Sequence, residues 1–516
     1  MPDGSGEINE STERTVLTFV DAAGGEVAYT ERRAQAAVAR AFRRLRPLLT
    51  QDGIAVAVDL PNCPKVIWVL LACAQMERPV VMLNHRLTPA EKEHRLAQLE
   101  GKLAVAATVD ARWLAGDGEG TGGALPADDE PASSNDATQS NAAEKPGPID
   151  GGAPDALAPA PYALVEDLAH SQSAVIMFTS GTTGIPKAAV LTWENIMASA
   201  QASLAPLGCT SQGSWQAALP LCHIGGLQAV IRGFLSHCPV VLYEHFDAAR
   251  MLADAKRFGA THLSVVDKTL RDLIDEDARA GEGALAQYRC LLLGGAAINP
   301  ATIEAAKRAH ARVFASYGMT ETSSQVAHHL VDDTFDGGLD LMPHVEAAIL
   351  NPDEHGIGQL ALRGPSIVSA YLNAKLPASE QGFFLTGDRA RIEDGRLYVA
   401  ERLDDLFISG GENVYPAEVE RCICQVEGVT ACHVFGMADS VWGRRPAAVV
   451  ASPMEPSLIQ QRVQVHVREH LARISRPDTI VVVRQLPQTG IGKVDRKAAR
   501  TLVERSLAEK PADDRS

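Results

Sequence analysis

The residues best suited to chemistry open with a short run after the apolar AVIMF. Thr179, Ser180, Gly181, Thr182, Thr183 and Gly184 lead through Ile185 and Pro186 to Lys187. Glycines let successive backbone N–H groups point at an anion, hydroxyls add donors, and a lysine adds a mobile positive charge. In chemical terms this is a phosphate cradle. It is not the common phosphate loop, which needs Gly before the lysine and Ser or Thr after it; here Pro186 precedes Lys187 and Ala188 follows. Taken alone, the run could also be a surface turn.

The elements that must position such a loop read as α/β. From about residue 15 to 110, helical periodicity (YTERRAQAAVARAFRRL) alternates with short β-branched runs (GIAVAVDL, RPVVML). Residues 115–161 are nearly free of large apolar side chains, cannot offset their ordering entropy by burial, and are expected to form a mobile insertion. The alternation then resumes, with strands expected at AVIMF, PVVLYE, HLSVV and CLLLGG and helices at DAARMLADAKRF and PATIEAAKRAH. From about residue 403 a smaller unit follows, with ACHVFGM and RPAAVVAS as strands and LIQQRVQVHVREHLARI as a helix. The expected division is 1–402 and 403–516.

Composition limits what the protein can be. A chain of 516 residues with 46% hydrophobic and 22% charged residues is globular and long enough for two or more domains. Its net charge of −16 argues against a nucleic-acid or anionic-membrane partner. The nine cysteines show no CxxC pair or metal-ligand spacing and read as reduced core thiols. The polar, acidic N-terminus lacks signal-peptide features, and no apolar run is long enough to span a bilayer, so a cytoplasmic protein is expected.

Five more segments join the first loop: LLLGGAAI (291–298), ASYGMTETS (315–323), FFLTGDRA (383–390), ERLDDLFISGGENVYPAEVE (401–420) and PQTGIGKVDRKAAR (487–500). In these segments, in this order, the chain resembles the acyl-adenylate-forming superfamily of acyl-CoA synthetases, peptide-synthetase adenylation domains and luciferases. The resemblance implies a large N-terminal domain of parallel and mixed sheets with helices, and a small mobile C-terminal α+β domain. It implies ATP and CoA as co-substrates, Mg²⁺ as the metal, and activation of a carboxylic acid through an acyl-adenylate.

Site residues follow from the same resemblance. The 179–187 loop would fold over the outer phosphates of ATP. Tyr317 would stack on adenine, Thr320 would donate to the α-phosphate, and Glu321 would hold Mg²⁺, which keeps much of its hydration and needs few protein ligands. Gly294, Gly295 and Ala296 would let the base approach backbone, while Asp388 and Arg402 would reach the ribose. Lys493 would bridge the attacking carboxylate and the α-phosphate, a contact worth about 3 kcal/mol or more in the transition state. A hinge at Asp404 would swing the C-terminal domain between half-reactions. Ser409, Gly410 and Gly411 would then line the pantetheine tunnel, with Trp442 near the CoA nucleotide and Arg444 or Arg445 at its phosphates. Catalytic roles would thus fall to Lys493, Glu321, Thr320 and His223.

The acid is read from LPLCHIGGLQAVIRGFL (219–235), which resembles the acyl-pocket segment with Cys222 in place of the usual aromatic. His223 either gates that pocket or packs in the core. Arg232 interrupts an apolar helix, and a buried arginine needs an anion, either a second substrate carboxylate or a structural Asp or Glu. Ser323, Ser324 and Gln325 would be small polar groups near the substrate's aliphatic arm. Within the superfamily LSVVDKTL (263–270), LLLGGAAI, YGMTETSSQ and FISGGENVYPAEVE together look most like the ligases that activate o-succinylbenzoate in menaquinone synthesis, an aromatic dicarboxylate consistent with a cation at Arg232. A ligase for another aryl or medium-chain acid and an adenylation module that loads a carrier protein are the other readings. The ending PKAAV in place of PKGV and the long insertion depart from the pattern, and a homodimer is an open expectation.

Overall fold

The computed structural model describes residues 14–50, 54–111, 165, 168, 174–179, 186–295, 300–402, 407–409, 412–414, 416–439, 442–471, 473–489 and 494–509. The 115–161 insertion lies outside them. Residues up to Arg402 build two sheets. The smaller has five strands in the order Ala104–Val109, Ile54–Val58, Val80–Met82, Ala174–Thr179 and Lys187–Thr192, parallel except for the last pair. The larger has thirteen strands, and its centre is parallel: Val313–Met319, Cys290–Leu293, Ala260–Val265, Ser214–Ala217, Val240–Tyr243 and Thr15–Val20. Antiparallel strands flank it on both sides. The central strands are short and buried on both faces, as parallel sheets require; all residues of Ala260–Val265, Cys290–Leu293 and Val240–Tyr243 are buried.

Helices start where the sequence supplies start signals. Pro64, Pro89 and Pro456 each stand in the first turn of a helix, and Thr88 and Thr192 form capping boxes with Glu91 and Asn195. The helix Ile224–Leu235 is buried nearly all round and packs against Trp193–Leu204 and the strands Ser214–Ala217 and Ser324–Leu330. Asn62, buried at the end of the Ile54–Val58 strand, joins the two sheets. Its Nδ2 donates to the Leu219 and Tyr243 carbonyls at 3.0 and 3.2 Å, and its Oδ1 accepts from Leu221 N at 2.8 Å. That fixes the segment leading into His223.

Beyond residue 407 lies a three-stranded sheet, Ala431–Asp439, Gly443–Ala451 and Thr479–Val483, with helices Pro416–Ile423, Pro456–His470 and Arg496–Glu509. Its two apolar clusters contain no residue from before Phe407. The strands expected from sequence form. The helix expected over LIQQRVQVHVREHLARI is shorter: Leu471 turns to extended geometry (φ −119, ψ 146), and a 3₁₀ turn Arg473–Ser475 follows. Among the described residues no helix is long and apolar enough to cross a membrane.

Candidate active site

The strand Val313–Met319 runs into a 3₁₀ turn, Thr320–Thr322, and then reverses into Ser324–Leu330. This reversal is tight. Ser323 and Ser324 both have positive φ (53° and 101°), and a Cβ on Gly318 would stand 1.9 Å from the Ser324 carbonyl oxygen. The Thr322 hydroxyl accepts from Met319 N at 2.9 Å and donates to the Ser324 carbonyl at 2.6 Å. Glycine at 318 is therefore a steric requirement of the turn that presents Thr320 and Glu321.

Glu321 is 8% exposed. Its Oε1 accepts from the Tyr371 hydroxyl at 2.7 Å, and its backbone carbonyl accepts from Val368 N at 2.9 Å. The Lys187 ammonium lies 5.4 Å from the Tyr371 ring centre, a cation–π distance. Tyr371 reaches this position because residues 370–373 run alongside the Lys187–Thr192 strand: Val190 N donates to Ala370 O, Leu372 N donates to Ala188 O, and Ala189 bridges Tyr371. Asn373 closes the base of the loop, accepting from Ala188 N at 2.8 Å and donating to Pro186 O at 2.8 Å. Thr179 pairs in register with Lys187 across that base. Neither Tyr371 nor Asn373 stood out in the sequence; a tyrosine close to the end of the N-terminal apolar pattern carries no local signal.

A second group gathers around Tyr317, whose hydroxyl donates to Asp388 Oδ2 at 2.6 Å. Asp388 is buried in the strand Phe384–Glu393 and paired in register with Arg402, of which the backbone alone is described. Gly294 and Gly295 follow the strand Cys290–Leu293, and Gly295 needs its positive φ of 88°. A Cβ on Gly294 would stand 2.8 Å from Ser316 Oγ, the residue before Tyr317. The two glycines, Tyr317 and Asp388 thus form one neighbourhood, with the flat backbone, aromatic ring and carboxylate that a nucleoside calls for.

The third group is buried. Arg232, 1% exposed, is among the largest fully buried side chains. Its Nη2 donates to Ser324 Oγ at 3.3 Å, its Nε has no partner, and no carboxylate of the described residues pairs with it. Burial pushes its pKa down to about 10, with the thiols of Cys209 and Cys290 as neighbours, so it stays a cation at neutral pH. Elsewhere on the turn, strand and helix that carry this contact, Ser323 Oγ, both amide atoms of Gln325 and Gln228 Oε1 are buried without partners. His328, on the same strand as Ser324, is held below the usual histidine range by burial. His223 stands at the N-terminal cap of the Arg232 helix, half-buried.

In the C-terminal part, Ser409 is buried and Trp442 is 41% exposed. Arg445 is committed to structure: it pairs with both oxygens of Asp478 at 2.7 and 2.8 Å and donates to Ile474 O. Of the two arginines expected at a phosphate, Arg444 is the exposed one. Ser180, Gly181, Thr182, Thr183, Gly184, Ala296, Asp404, Gly410, Gly411 and Lys493 lie outside the described residues.

The chain belongs to the AMP-binding enzyme family: the family model matches residues 7–372, and that of the AMP-binding enzyme C-terminal domain matches 418–493. Among characterised proteins it is similar to the 2-succinylbenzoate–CoA ligase of Enterococcus faecalis, 37% identical over 332 residues, 62% of this chain and 68% of that enzyme. The enzyme of the same name from Geobacillus kaustophilus is 32% identical over 474 residues, 89% of this chain and 90% of that enzyme. Among solved structures, o-succinylbenzoate CoA synthetase of Bacillus subtilis in complex with its acyl-adenylate intermediate superposes with a TM-score of 0.73 at 27% identity, covering 94% of this chain and 95% of that one. The same enzyme with ATP and magnesium gives 0.73 at 26% identity, covering 95% and 97%.

Proposed function

We propose that the chain is an AMP-forming acid–CoA ligase acting on 2-succinylbenzoate, with ATP and CoA as co-substrates. A substrate carboxylate attacks the α-phosphorus of ATP, pyrophosphate leaves, and an acyl-adenylate forms. The CoA thiol then attacks the acyl carbon, losing its proton, and AMP leaves with the C–O bond electrons.

The residues divide this work. Lys187 and the 179–184 loop hold the outer phosphates. Gly294, Gly295 and Ala296 admit the base beside Tyr317, and Asp388 with Arg402 takes the ribose; the Tyr317 hydroxyl, donating to Asp388 Oδ2, holds that carboxylate beside the ring. Thr320 donates to the α-phosphate. Magnesium supplies charge neutralisation among the phosphates, and Glu321 would hold it. Glu321 is a single buried carboxylate, and among the described residues no cluster of three or more His, Cys, Asp or Glu could make a full protein cage. That suits Mg²⁺, which keeps much of its hydration and would need few protein ligands. Lys493 meets the attacking carboxylate, brought in and withdrawn as residues 403–516 turn about Asp404. Ser409, Gly410, Gly411 and Trp442 then serve CoA, and His223 borders the acyl site. A need for ATP and CoA supports a cytoplasmic site for the reaction.

The observation that carries the substrate is Arg232. A buried guanidinium with no carboxylate partner among the described residues is costly unless an anion arrives, and the Ser324 hydroxyl stands beside it. A monocarboxylate spends its only charge at the phosphate; a dicarboxylate has a second one for Arg232. The similarity to named 2-succinylbenzoate–CoA ligases supports the same acid. The test is pyrophosphate release over a panel of carboxylic acids, with and without CoA, and mass detection of the thioester. 2-Succinylbenzoate should exceed benzoate and hexanoate by on the order of 10² in kcat/KM, a difference expected of one charge-assisted contact. Equal rates for all three acids contradict the substrate, and release without thioester contradicts the CoA step.

A further inference from the structure

We infer that Gln228 is a positioning residue that ties the acyl pocket to the turn carrying Thr320 and Glu321; this rests on the roles proposed for those two residues. Gln228 is fully buried, one helical turn before Arg232 on the same face of Ile224–Leu235. Its amide nitrogen donates to two carbonyls at 2.9 Å: Ile196, on the neighbouring helix Trp193–Leu204, and Ser323. Two acceptors on one side fix which amide atom is nitrogen, and both N–H groups are spent. Arg232 donates to Ser324 Oγ from the next turn. One helix face thus grips two successive residues through two different side chains.

Those two residues are the ones with φ of 53° and 101°, a region non-glycine residues occupy only when their surroundings hold them there. Ser323 N donates to Thr320 O at 3.0 Å, so the gripped residues connect directly to the 3₁₀ turn. On the other side the Glu321 carbonyl is held by Val368 N. The catalytic turn is therefore clamped between Val368 and Gln228, and the Gln228 clamp shares its helix with the cation that reads the acid. Loss of the Gln228 donors should let Ser323 and Ser324 relax, moving Thr320 and Glu321 while leaving the acid's main contact in place.

The experiment compares wild type, Gln228→Met and Gln228→Glu in pyrophosphate release with saturating ATP. Methionine keeps the volume and removes both donors. It should lower kcat by about 10- to 100-fold with the KM for the acid changed less than about threefold, in enzyme that stays folded by thermal melting. A glutamate can donate only when protonated, so Gln228→Glu should recover activity relative to wild type as pH falls from 8 to 6, which a purely structural residue would not do. Wild-type kcat in Gln228→Met, or a Gln228→Glu profile parallel to wild type, overturns the inference. If wild type is inactive with every acid, the proposed function falls instead. A crystal structure of Gln228→Met then decides the clamp: Ser323 and Ser324 leaving the left-handed region supports it, and unchanged φ values overturn it.

Discussion

Tyr371 stands between two charges of the site: its hydroxyl donates to Glu321, and its ring faces the Lys187 cation of the phosphate loop. A hydrogen bond to a buried carboxylate is worth about 1.5–3 kcal/mol. Tyr371→Phe keeps the ring and removes the donor, so kcat should fall on the order of 10-fold and half-maximal activity should need more Mg²⁺, read by titrating magnesium in the pyrophosphate assay. An unchanged magnesium curve would place Tyr371 outside the site. Glu321, Asp388 and Lys187 were legible in the sequence because each stands in a short motif whose chemistry is local. Tyr371 and Gln228 were not, because their roles come from pairing and packing between residues 50 to nearly 100 positions apart.

At the scale of elements, two short connections carry the site, and each depends on one residue. Gly318→Ala would drive a methyl group into the Ser324 carbonyl. The turn must open, so adenylation should fall by more than about 10², with a melting temperature lower by several degrees. Asn373 fastens the C-terminal side of the phosphate-loop base, bonding to the residues on either side of Lys187. Asn373→Ala should raise the KM for ATP by about fivefold to tenfold and leave the KM for the acid nearly unchanged, since the acyl pocket lies on the other helix–strand pair. Equal effects on both KM values would show that the two connections act as one. Strands and glycine loops here are legible in β-branched runs and small residues. The 370–373 pairing is not, because it has no alternation or turn signal of its own.

For the whole molecule, the α/β order and the smaller C-terminal unit were legible from strand–helix alternation, whereas the thirteen-stranded continuity was not, since local pattern does not fix which distant strands become neighbours. Burial of histidine sets a pH limit. His262, His328 and His344 are all held below the ordinary histidine value by burial. Their folded pKa values are depressed, so the unfolded chain takes up protons that the fold refuses, and stability falls as pH drops below about 6.5. Melting temperature should decline by several degrees between pH 7 and 5.5, above the range where carboxylates titrate. His262→Gln, which keeps a donor for the Leu207 carbonyl, should flatten that decline. A melting curve independent of pH in this window contradicts it.

The acid itself is tested at Arg232. The measurement is the ratio of kcat/KM for 2-succinylbenzoate to that for benzoate, in wild type and in Arg232→Gln. If Arg232 reads the second carboxylate, the ratio should fall on the order of 10² in the variant, with the benzoate value held or improved. A ratio unchanged by the substitution, or an equal loss with both acids, would mean that Arg232 supports the fold alone and that the dicarboxylate assignment is wrong.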